Sequence, residues 1–318
     1  MTKNFALIGV AGYVAPRHLK AIHETGHRLL AALDRNDSVG VIDGFFPQAN
    51  FFTEFERFDR HIEKLRRLEP EKRIHYVSIA SPNYLHDAHI RFALRVGADA
   101  ICEKPLVINP WNIDALKVME TETGRTINAI LQTRLHPAMS GLHQRVRQKK
   151  PGSKFDIDLT YITARGRWYY VSWKGDMAKS GGIATNIGIH FFDMLIWIFG
   201  PVQKNIVHHN DASRAAGFLE LANARIRWFL SLEESDLPVA ALQANKRSHR
   251  QLVMNSENVE FSDGFTDLHT ANYREILAGR GFGLEDARPA IQAVYDIRQA
   301  VPQGKKGDYH PLLGAMKR

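Results

Sequence analysis

The chain has 318 residues, which is enough for two domains that each bury a core of their own. A composition of 44% hydrophobic and 24% charged residues excludes a disordered chain and a fibrous repeat. The single cysteine, Cys102, excludes an internal disulfide, and Asp193 interrupts the longest apolar stretch. We therefore expect a cytoplasmic protein with no secretion signal and no membrane partner.

Lysine and arginine number 42 against 34 aspartates and glutamates, which gives a net charge of +8. No zinc-finger spacing or basic heptad region accompanies this surplus, so we expect no nucleic-acid partner. Four cations stand among four aromatic side chains between residues 165 and 179, a mixture that suits phosphates and flat rings. This segment favours an anionic small substrate, and an ordinary solvated basic surface is the alternative.

The first 132 residues alternate short apolar runs with longer segments of helical periodicity. Strands are predicted at residues 5–9, 28–34, 76–80, 98–102 and 126–132, and helices at 16–25, 54–68, 86–96 and 110–123. Such alternation is typical of right-handed crossovers in a parallel sheet. Residues 1–132 are therefore predicted to form an α/β domain, in which the long loop at 35–52 is a candidate functional insertion.

Beyond residue 150 the apolar residues alternate with a period of two, as at residues 154–165 and 225–233. Further strands are predicted at 203–210, 215–221 and 251–255, and helices at 186–198, 267–278 and 285–300. Strands with one polar face belong to an antiparallel sheet with one open side. Residues 133–318 are therefore predicted to form an α+β domain on an open, mostly antiparallel sheet.

The first predicted strand runs into a glycine-rich turn, GVAGYVAP at residues 9–16, directly before a helix. Backbone N–H groups in such a turn and the positive end of the helix bind phosphates. Asp34 ends the second strand, where a carboxylate accepts ribose hydroxyls and repels a 2′-phosphate, so NAD is favoured; Arg35 beside it keeps NADP open. The residues predicted to bind NAD here are Gly9, Gly12, Tyr13, Val14 and Asp34.

Two other predicted strands end in polar segments, SPNYLH at residues 81–86 and EKPL at 103–106. Ligands gather at the carboxyl ends of strands in a doubly wound sheet. Lys104 in such a cleft can act as a general acid or donate to an oxyanion, and a surface lysine in a turn is the alternative. The further residues predicted to border the cofactor are Ser81, Asn83, His86, Glu103 and Lys104.

A third segment, GGIATNIGIHFFD at residues 181–193, predicts a helix with Asn186, His190 and Asp193 on one face. A histidine on that stripe can take a proton from a substrate hydroxyl, and a structural histidine at a helix–sheet boundary is the alternative. The single cysteine leaves no paired-cysteine motif, and no metal site is predicted.

Together these segments resemble the glucose–fructose oxidoreductase/inositol dehydrogenase family (Gfo/Idh/MocA). The hallmarks of that family are the glycine turn, a strand-end EKP and a GGGxxxDxGxHxxD segment, which correspond here to residues 9–15, 103–105 and 181–193. Asn186 stands where the family usually has aspartate, which leaves the proton chemistry to Lys104 and His190. The resemblance covers the whole chain and implies a Rossmann domain followed by an open-faced sheet.

Residues 159–169, 172–176 and 260–269 are similar to the branch of the family that acts on UDP-N-acetylglucosaminuronic acid. This resemblance implies an NAD-dependent oxidation of the C3 hydroxyl of that sugar to a ketone. The product leads to 2,3-diamino-uronic acids of bacterial surface polysaccharides, including the O-antigen of lipopolysaccharide. The resemblance also implies a homotetramer, and some members of the branch reoxidise NADH with 2-oxoglutarate.

Oxidation of a secondary alcohol needs a base for the hydroxyl proton while hydride leaves the carbon. We expect His190 to be the base and Lys104 to orient and polarise the oxygen, with the exchanged roles as an open alternative. A diphosphate and a carboxylate on the substrate need cations and flat side chains. The residues predicted to contact substrate are Lys104, Arg165, Trp168, Tyr169, Trp173, Lys174, Asn186 and His190.

Two other functions stay open. A dehydrogenase of the same family that acts on another sugar or a polyol would keep the catalytic pair without binding a uridine nucleotide. A non-catalytic NAD-binding regulator would keep Gly9, Gly12 and Asp34 but would need neither Lys104 nor His190. The presence of both side chains favours an enzyme.

Overall fold

The computed structural model describes residues 1–148, 152, 154–259 and 267–316. The chain divides into two compact units: the first consists of Met1–Gln132 and Thr266–Arg288, and the second of Thr133–Phe265 and Pro289–Arg318. The division after residue 132 matches the boundary drawn from the sequence. The sequence, however, assigned everything beyond that boundary to one domain, whereas the structure groups a late segment with the first unit.

The described residues of the first unit contain a parallel sheet of six strands. They are β1 (Asn4–Ile8), β2 (Arg28–Leu33), β3 (Asn50–Phe52), β4 (Tyr76–Ile79), β5 (Asp99–Cys102) and β6 (Ile127–Ala129). Their order is β3-β2-β1-β4-β5-β6, and every neighbouring pair is parallel. All five residues of β1 are buried, which explains its continuous apolar run. The strand order reverses between β1 and β4, and ligands bind at the carboxyl ends of strands at such a point.

The crossovers between these strands contain α1 (Ala15–Glu24), α2 (Phe55–Leu68), α3 (His86–Arg95) and α4 (Trp111–Thr123). Pro16 stands in the first turn of α1, where its missing N–H costs no hydrogen bond. Helix α2 buries one apolar stripe formed by Phe58, Ile62 and Leu65. The alternation of strands and helices predicted from the sequence is therefore confirmed.

The described residues of the second unit contain a mixed sheet of six strands. They are β7 (Phe155–Thr163), β8 (Val202–Asn210), β9 (Arg214–Leu221), β10 (Ala224–Ser231), β11 (Ser248–Met254) and β12 (Glu257–Asn258). Their order is β12-β11-β7-β10-β9-β8, in which only β7 and β10 pair in parallel. Arg227 lies directly opposite Asp158 in that pair, and its Nε donates to the carboxylate at 2.5 Å. The open, mostly antiparallel sheet is thus confirmed.

The remaining helices of the described chain are α5 (Pro137–Arg147), α6 (Trp168–Val171), α7 (Met177–Ser180), α8 (Ile189–Phe199), α9 (Val239–Gln243), α10 (Leu268–Leu277), α11 (Leu284–Gln299) and α12 (Pro311–Ala315). Among the described residues, Met177–Phe199 is the one helical stretch long and apolar enough to cross a membrane, with a mean hydropathy of 1.4. Because 78% of the most apolar 18-residue part of this stretch is buried inside the protein, its apolar character is that of a core helix.

Helix α10 belongs to the first unit because its buried face completes the core there. Tyr273 and Ile276 of α10 lie in one cluster with Phe5 and Leu7 of β1, and the ring of Tyr273 stacks on Phe5 at 6.0 Å. Helix α10 also packs against α1. Sequence periodicity predicts that this helix exists but carries no information on which core receives it, which is why the predicted domain of residues 133–318 includes it.

Some local predictions differ from the structure. The loop predicted at residues 35–52 contains β3, an edge strand paired with β2, and three residues are too few to show a period. The strand predicted at residues 126–132 ends at Ala129, and a short 3-10 helix follows at Gln132–Leu135. Strand β11 begins at Ser248, three residues before its predicted start, and α8 begins at Ile189, three residues after its predicted start. The bounds of the other predicted elements agree with the structure to within about two residues.

Candidate active site

The glycine-rich turn of the first unit begins at Gly9, which follows β1 with a φ of +89°. A β-carbon at this position would lie 2.6 Å from the carbonyl of Ala80 and 2.7 Å from the nitrogen of Ser81. The backbone at the end of β1 therefore passes directly beside the backbone at the end of β4. Only glycine combines this approach with this conformation. The N–H of Gly12 then donates to the Gly9 carbonyl at 3.0 Å and closes the turn.

Helix α1 starts at this turn without a capping side chain. Its N-cap residue is Val14, which offers no side-chain acceptor, and its first turn contains no acidic residue. In the first turn, Pro16 has no N–H, and the N–H groups of Ala15 and Arg17 donate to the carbonyls of Gly12 and Val14, both at 3.0 Å. The positive end of the helix dipole, which no side chain caps, favours an anion at this turn. Tyr13 is 92% exposed at the same turn. These features fit the diphosphate of a dinucleotide.

Asp34 follows β2 directly beside the same turn. Its Oδ2 accepts the N–H of Ala11 at 2.9 Å, and its Oδ1 accepts the N–H of Asn36 at 3.0 Å. The carboxylate is half-buried and fixed in orientation, which suits an acceptor for ribose hydroxyls. Arg35 next to it is exposed. This arrangement fits NAD.

The loops after β4 and β5 are held together by His86. Its Nδ1 lies 2.7 Å from the carbonyl oxygen of Pro105, and its Nε2 lies 2.8 Å from the carbonyl oxygen of Ser81. The ring is 1% exposed; burial lowers the pKa of His86, and the hydrogen bonds to the carbonyls of Pro105 and Ser81 oppose that effect, because a carbonyl oxygen accepts only from a protonated nitrogen. Both ring nitrogens are therefore used within the protein, and His86 braces the two loops instead of offering a free nitrogen to a ligand. Ser81 and Asn83 are also buried, at 8% and 5% exposure.

Glu103 and Lys104 follow β5 on the second of these loops. Glu103 is buried, with Oε1 between two histidine side chains and Oε2 accepting the backbone N–H of Lys104 at 3.2 Å. Lys104 itself is half-buried. Burial lowers the pKa of Lys104, and the charge of Glu103 opposes that effect. A lysine with a lowered pKa in a loop at the strand ends is suited to share a proton with a ligand.

In the second unit, the helix predicted to carry Asn186 and His190 contains a π-helical segment at Ala184–Gly188, which leads into α8. A β-carbon at Gly188 would lie 2.6 Å from Leu230 of β10, so glycine lets this segment lie against the sheet. Because π-helical turns change the spacing, the predicted stripe on one regular α-helical face is wrong in detail. Such segments are frequent at functional sites.

His190 stands at the second residue of α8. Its half-buried ring contacts Tyr161 edge-on, with 5.8 Å between the ring centroids. Asn186 donates to the hydroxyl of Tyr169 at 2.7 Å. Asp193 lies deeper in the helix, 2% exposed, and accepts two hydrogen bonds from the Arg134 guanidinium at 3.0 and 2.6 Å. Asp193 therefore has a structural role, since it binds Arg134 within the core of the second unit.

The cations and aromatic residues predicted to contact substrate form a cluster in the second unit. The Nζ of Lys174 lies 4.4 Å from the ring centroid of Trp173 and 5.7 Å from that of Trp168. Burial and the positive charge of Arg165 lower the pKa of Lys174. We call Arg165, Trp168, Trp173 and Lys174 the basic-aromatic cluster. Tyr169, by contrast, is only 3% exposed and supports Asn186 from inside.

The structure thus brings the predicted residues together within each unit: the turn, Asp34 and the loops after β4 and β5 in the first, and the basic-aromatic cluster in the second. Sequence reasoning missed His18, His269 and Tyr273 around Glu103, and Arg134 on Asp193. No local motif marks His18, Tyr273 or Arg134, because each is distant in sequence from its partner. His269 ends the segment at residues 260–269, whose resemblance assigned it no role. Most of the segment at residues 260–269 lies outside the described residues.

Two family models match the chain. One, described as an oxidoreductase family with an NAD-binding Rossmann fold, matches residues 3–130. The other, described as an oxidoreductase family C-terminal alpha/beta domain, matches residues 153–237. Both belong to the Gfo/Idh/MocA group.

Solved structures give a more detailed likeness. The WlbA (WbpB) dehydrogenase from Thermus thermophilus, in complex with NAD and alpha-ketoglutarate, is 50% identical, with a TM-score of 0.93. The match covers 98% of this chain and 99% of that one. A second structure under that name and organism, in complex with NAD and UDP-GlcNAcA, is 49% identical over the same shares, with a TM-score of 0.92.

Curated relatives match over shorter regions. D-glucoside 3-dehydrogenase of Escherichia coli is 27% identical over 139 residues, which is 42% of this chain and 38% of that protein. An uncharacterised oxidoreductase of the same organism, YgjR, is 25% identical over 63% of this chain and 60% of its own length. The chain thus matches only about 38% to 60% of the length of these relatives. With both family models matched in order along the sequence, the chain belongs to the Gfo/Idh/MocA family of NAD-binding oxidoreductases.

Proposed function

We propose that this protein is an NAD-dependent dehydrogenase that oxidises the C3 hydroxyl of UDP-N-acetylglucosaminuronic acid to a ketone. The observation that carries this proposal is the 50% identity to the Thermus thermophilus WlbA dehydrogenase over nearly the whole of both chains. That dehydrogenase is known in complex with NAD and with UDP-GlcNAcA. The product would supply the synthesis of 2,3-diamino-uronic acids of surface polysaccharides.

The cofactor would be held by the first unit. Gly9, Gly12, Tyr13 and Val14 would receive its diphosphate, and Asp34 would accept the adenosine ribose hydroxyls. Ser81 and Asn83 would border it at the loop after β4. His86 and Glu103 would shape those loops, since their polar atoms have partners within the protein. NAD, when bound, supplies the acceptor for the hydride.

Lys104 and His190 would handle the hydroxyl proton. The imidazole of His190 takes the proton from the hydroxyl, and the amine of Lys104 orients the oxygen and stabilises the charge that develops on it. The lowered pKa of Lys104 supports a share of the proton for that amine, so the exchanged roles remain the alternative. Asn186 stands where many family members have an acid, and its amide would position substrate.

The basic-aromatic cluster would bind the anionic part of the substrate. Arg165 and Lys174 supply positive charge, and Trp168 and Trp173 supply flat surfaces beside it. Tyr169 would hold Asn186 in place through its hydroxyl. The contact between Lys174 and both tryptophans supports this assignment, because it concentrates charge and ring surface at one place.

Three further properties belong to the proposal. The alpha-ketoglutarate bound by the Thermus thermophilus dehydrogenase supports reoxidation of NADH by 2-oxoglutarate in this protein. The resemblance to the same branch supports a homotetramer. The apolar helical stretch at Met177–Phe199 is largely buried, which agrees with a cytoplasmic enzyme.

The test is a spectrum, in the nicotinamide band, of the purified protein supplied with NAD. Addition of UDP-N-acetylglucosaminuronic acid should produce the NADH absorbance, and 2-oxoglutarate should then remove it. UDP-N-acetylglucosamine, which lacks the carboxylate, and free N-acetylglucosaminuronic acid, which lacks the nucleotide, should act far more weakly. Oxidation of a free sugar or polyol in preference to the nucleotide sugar would overturn the substrate assignment. An absence of turnover with every sugar would favour a regulator.

Lys104→Met and His190→Gln test the proposed roles. Each substitution should lower kcat by about 10²–10⁴-fold, because each removes a group that positions or transfers a proton. If both act in one proton transfer, the double variant should lose little more than the more damaged single variant. Lys117→Met, which removes an exposed lysine paired with Glu285, is the matched control and should keep kcat.

A further inference from the structure

Five buried side chains of the first unit form one continuous hydrogen-bonded chain. The Oγ of Ser78 lies 2.6 Å from the hydroxyl of Tyr273, and that hydroxyl lies 2.8 Å from Nδ1 of His18. The Nε2 of His18 and the Nε2 of His269 lie 3.1 and 2.7 Å from the same carboxylate oxygen, Oε1 of Glu103. We call these five residues the Glu103 network. Every member is at most 6% exposed.

The positions of the protons follow from the acceptors. An ionised Glu103 can only accept, so both histidines donate their Nε2–H to it. Burial lowers the pKa of His18, which leaves its ring neutral and its Nδ1 free to accept the hydroxyl proton of Tyr273. Burial raises the pKa of Tyr273, so its hydroxyl stays protonated, and Ser78 donates to it in turn. Each proton in the network thus has an acceptor.

The network keeps a negative charge at a place where burial opposes it. Burial alone would raise the pKa of Glu103, but the hydrogen bonds from His18 and His269 outweigh it and hold the pKa well below the usual range. The other oxygen of the same carboxylate accepts the backbone N–H of Lys104. The network is therefore connected to Lys104 through the main chain and through the field of one buried charge.

The charge at Lys104 depends on the groups around it. Among the described residues, these include Arg17 and His18 on α1, His86 on α3, Cys102 on β5, and His269 and Tyr273 on α10. Arg17 lowers the pKa of Lys104, in the same direction as burial. Glu103 is the group that opposes both. Loss of the Glu103 charge would destabilise the ammonium form of Lys104 and lower its pKa further.

A metal ion is the other use for two histidines and a carboxylate. The three ligand atoms of His18, Glu103 and His269 lie within 4.8 Å of one another. Both histidine nitrogens, however, already stand at hydrogen-bonding distance from one oxygen of Glu103. A metal would have to displace both protons and separate these atoms. The distances therefore favour a hydrogen-bonded network.

We propose that the Glu103 network positions Lys104 and sets its charge, with His18 and His269 acting through the carboxylate of Glu103. Helix α10, which comes from the far end of the chain, thereby supplies a positioning residue, His269, to the loop that carries the proposed catalytic lysine. The importance of this arrangement for turnover rests on the proposed function. The effect on Lys104 itself is a property of the first unit and can be measured without substrate.

The test is the pH midpoint for chemical labelling of Lys104 in the purified protein, read by mass spectrometry of its peptide. Glu103→Gln removes the charge, so the midpoint should fall. Below both midpoints, the fraction of neutral amine should rise about three- to tenfold, since one pKa unit corresponds to a factor of ten. A change in access to Lys104 would alter the labelling rate at every pH without moving the midpoint.

His269→Leu and His269→Gln provide the second test and decide the question if Glu103→Gln does not fold. Leucine removes a donor to Glu103 and should move the Lys104 midpoint in the same direction by a smaller amount. Glutamine offers an N–H at a similar reach and should restore it. Glu120→Gln, at a half-buried carboxyl of the same unit that is outside the network, is the control and should leave the midpoint unchanged.

Two results would overturn the proposal. One is a Lys104 midpoint that is the same in the wild type and in the folded variants of Glu103 and His269. The other is a stoichiometric metal in the purified wild type that is lost in His269→Leu, which would make the cluster a metal site. A failure to oxidise any sugar nucleotide would leave the labelling result intact, so the two proposals fail separately.

Discussion

The two units hold their polar side chains in opposite ways. In the first unit, the Glu103 network is buried, each member has a defined partner, and the partners come from four separate segments of the chain. In the second unit, the basic-aromatic cluster lies at the surface within ten residues of chain and is held by contacts between a cation and two rings. A substitution in the Glu103 network should therefore disturb several neighbouring side chains. A substitution in the basic-aromatic cluster should affect only the binding of a ligand.

The largest effect on stability is expected in the first unit, at the glycine of the turn after β1. Gly9→Ala should destabilise the protein by about 3 kcal/mol, because the left-handed conformation costs about 1–2 kcal/mol and the overlap with Ala80 a similar amount. Gly26→Ala is the matched control, since Gly26 has a φ of +75° and no atom within 4 Å of its β-carbon position. Gly26→Ala should lower the free energy of unfolding only by the cost of the left-handed conformation. Denaturant unfolding measures both, and equal losses would contradict the close approach at Gly9.

An intermediate effect, on the pH dependence of stability, is expected from one buried histidine in each unit. Burial lowers the pKa of His89 and of His310 from 6.5 to about 4. Between those values the unfolded chain binds more protons than the folded one, so stability falls as pH falls from 6.5 towards 4. At pH 5 each histidine should cost about 2 kcal/mol relative to neutral pH.

His89→Gln and His310→Asn should each reduce the loss of stability between pH 7.5 and pH 5, measured by denaturant unfolding at both pH values. Asparagine can keep the helix cap at position 310, where Nδ1 of the histidine accepts the N–H of Leu312. The comparison between the two pH values separates titration from lost packing. Variants that lose as much stability as the wild type would show that these histidines are not the groups that titrate.

The smallest effect is expected in the basic-aromatic cluster. Lys174→Gln should raise KM for the sugar nucleotide about tenfold and leave kcat and the unfolding midpoint nearly unchanged, because a partly desolvated cation between rings contributes on the order of 1–2 kcal/mol. Lys179→Gln is the control, since Lys179 is exposed and paired with Asp176 at 3.3 Å. A fall in kcat with KM unchanged would place Lys174 in the chemistry instead.

The same contrast explains what could be predicted from the sequence. The glycine turn, the EKP segment and the alternation in β7 and β10 are local patterns, and local patterns predicted the two sheets and the positions of Lys104 and His190 within their units. The π-helical segment before α8 was not predicted, because no periodicity marks a single widened turn. The pairing of β7 with β10 in parallel depends on long-range packing and leaves no local signal either.

The Glu103 network shows most clearly what could not be predicted from the sequence. His18 and Tyr273 are separated by 255 residues in sequence, and their contact depends on α10 packing against α1. His18 stands in no motif, and His269 ends the segment at residues 260–269 whose resemblance assigned it no role. The sequence placed Glu103 at the strand end, and only the fold reveals that its carboxylate is occupied by protein partners.

The return of Thr266–Arg288 to the first unit has a consequence for biosynthesis. At about 5–20 residues per second, the ribosome needs on the order of 10 s to make the stretch between the two segments. Throughout that interval the side of β1 that will meet Tyr273 stays uncovered, and the nascent sheet offers an apolar surface to chaperones. Expression of residues 1–132 alone would make this exposure permanent, so a soluble cofactor-binding fragment has to include α10.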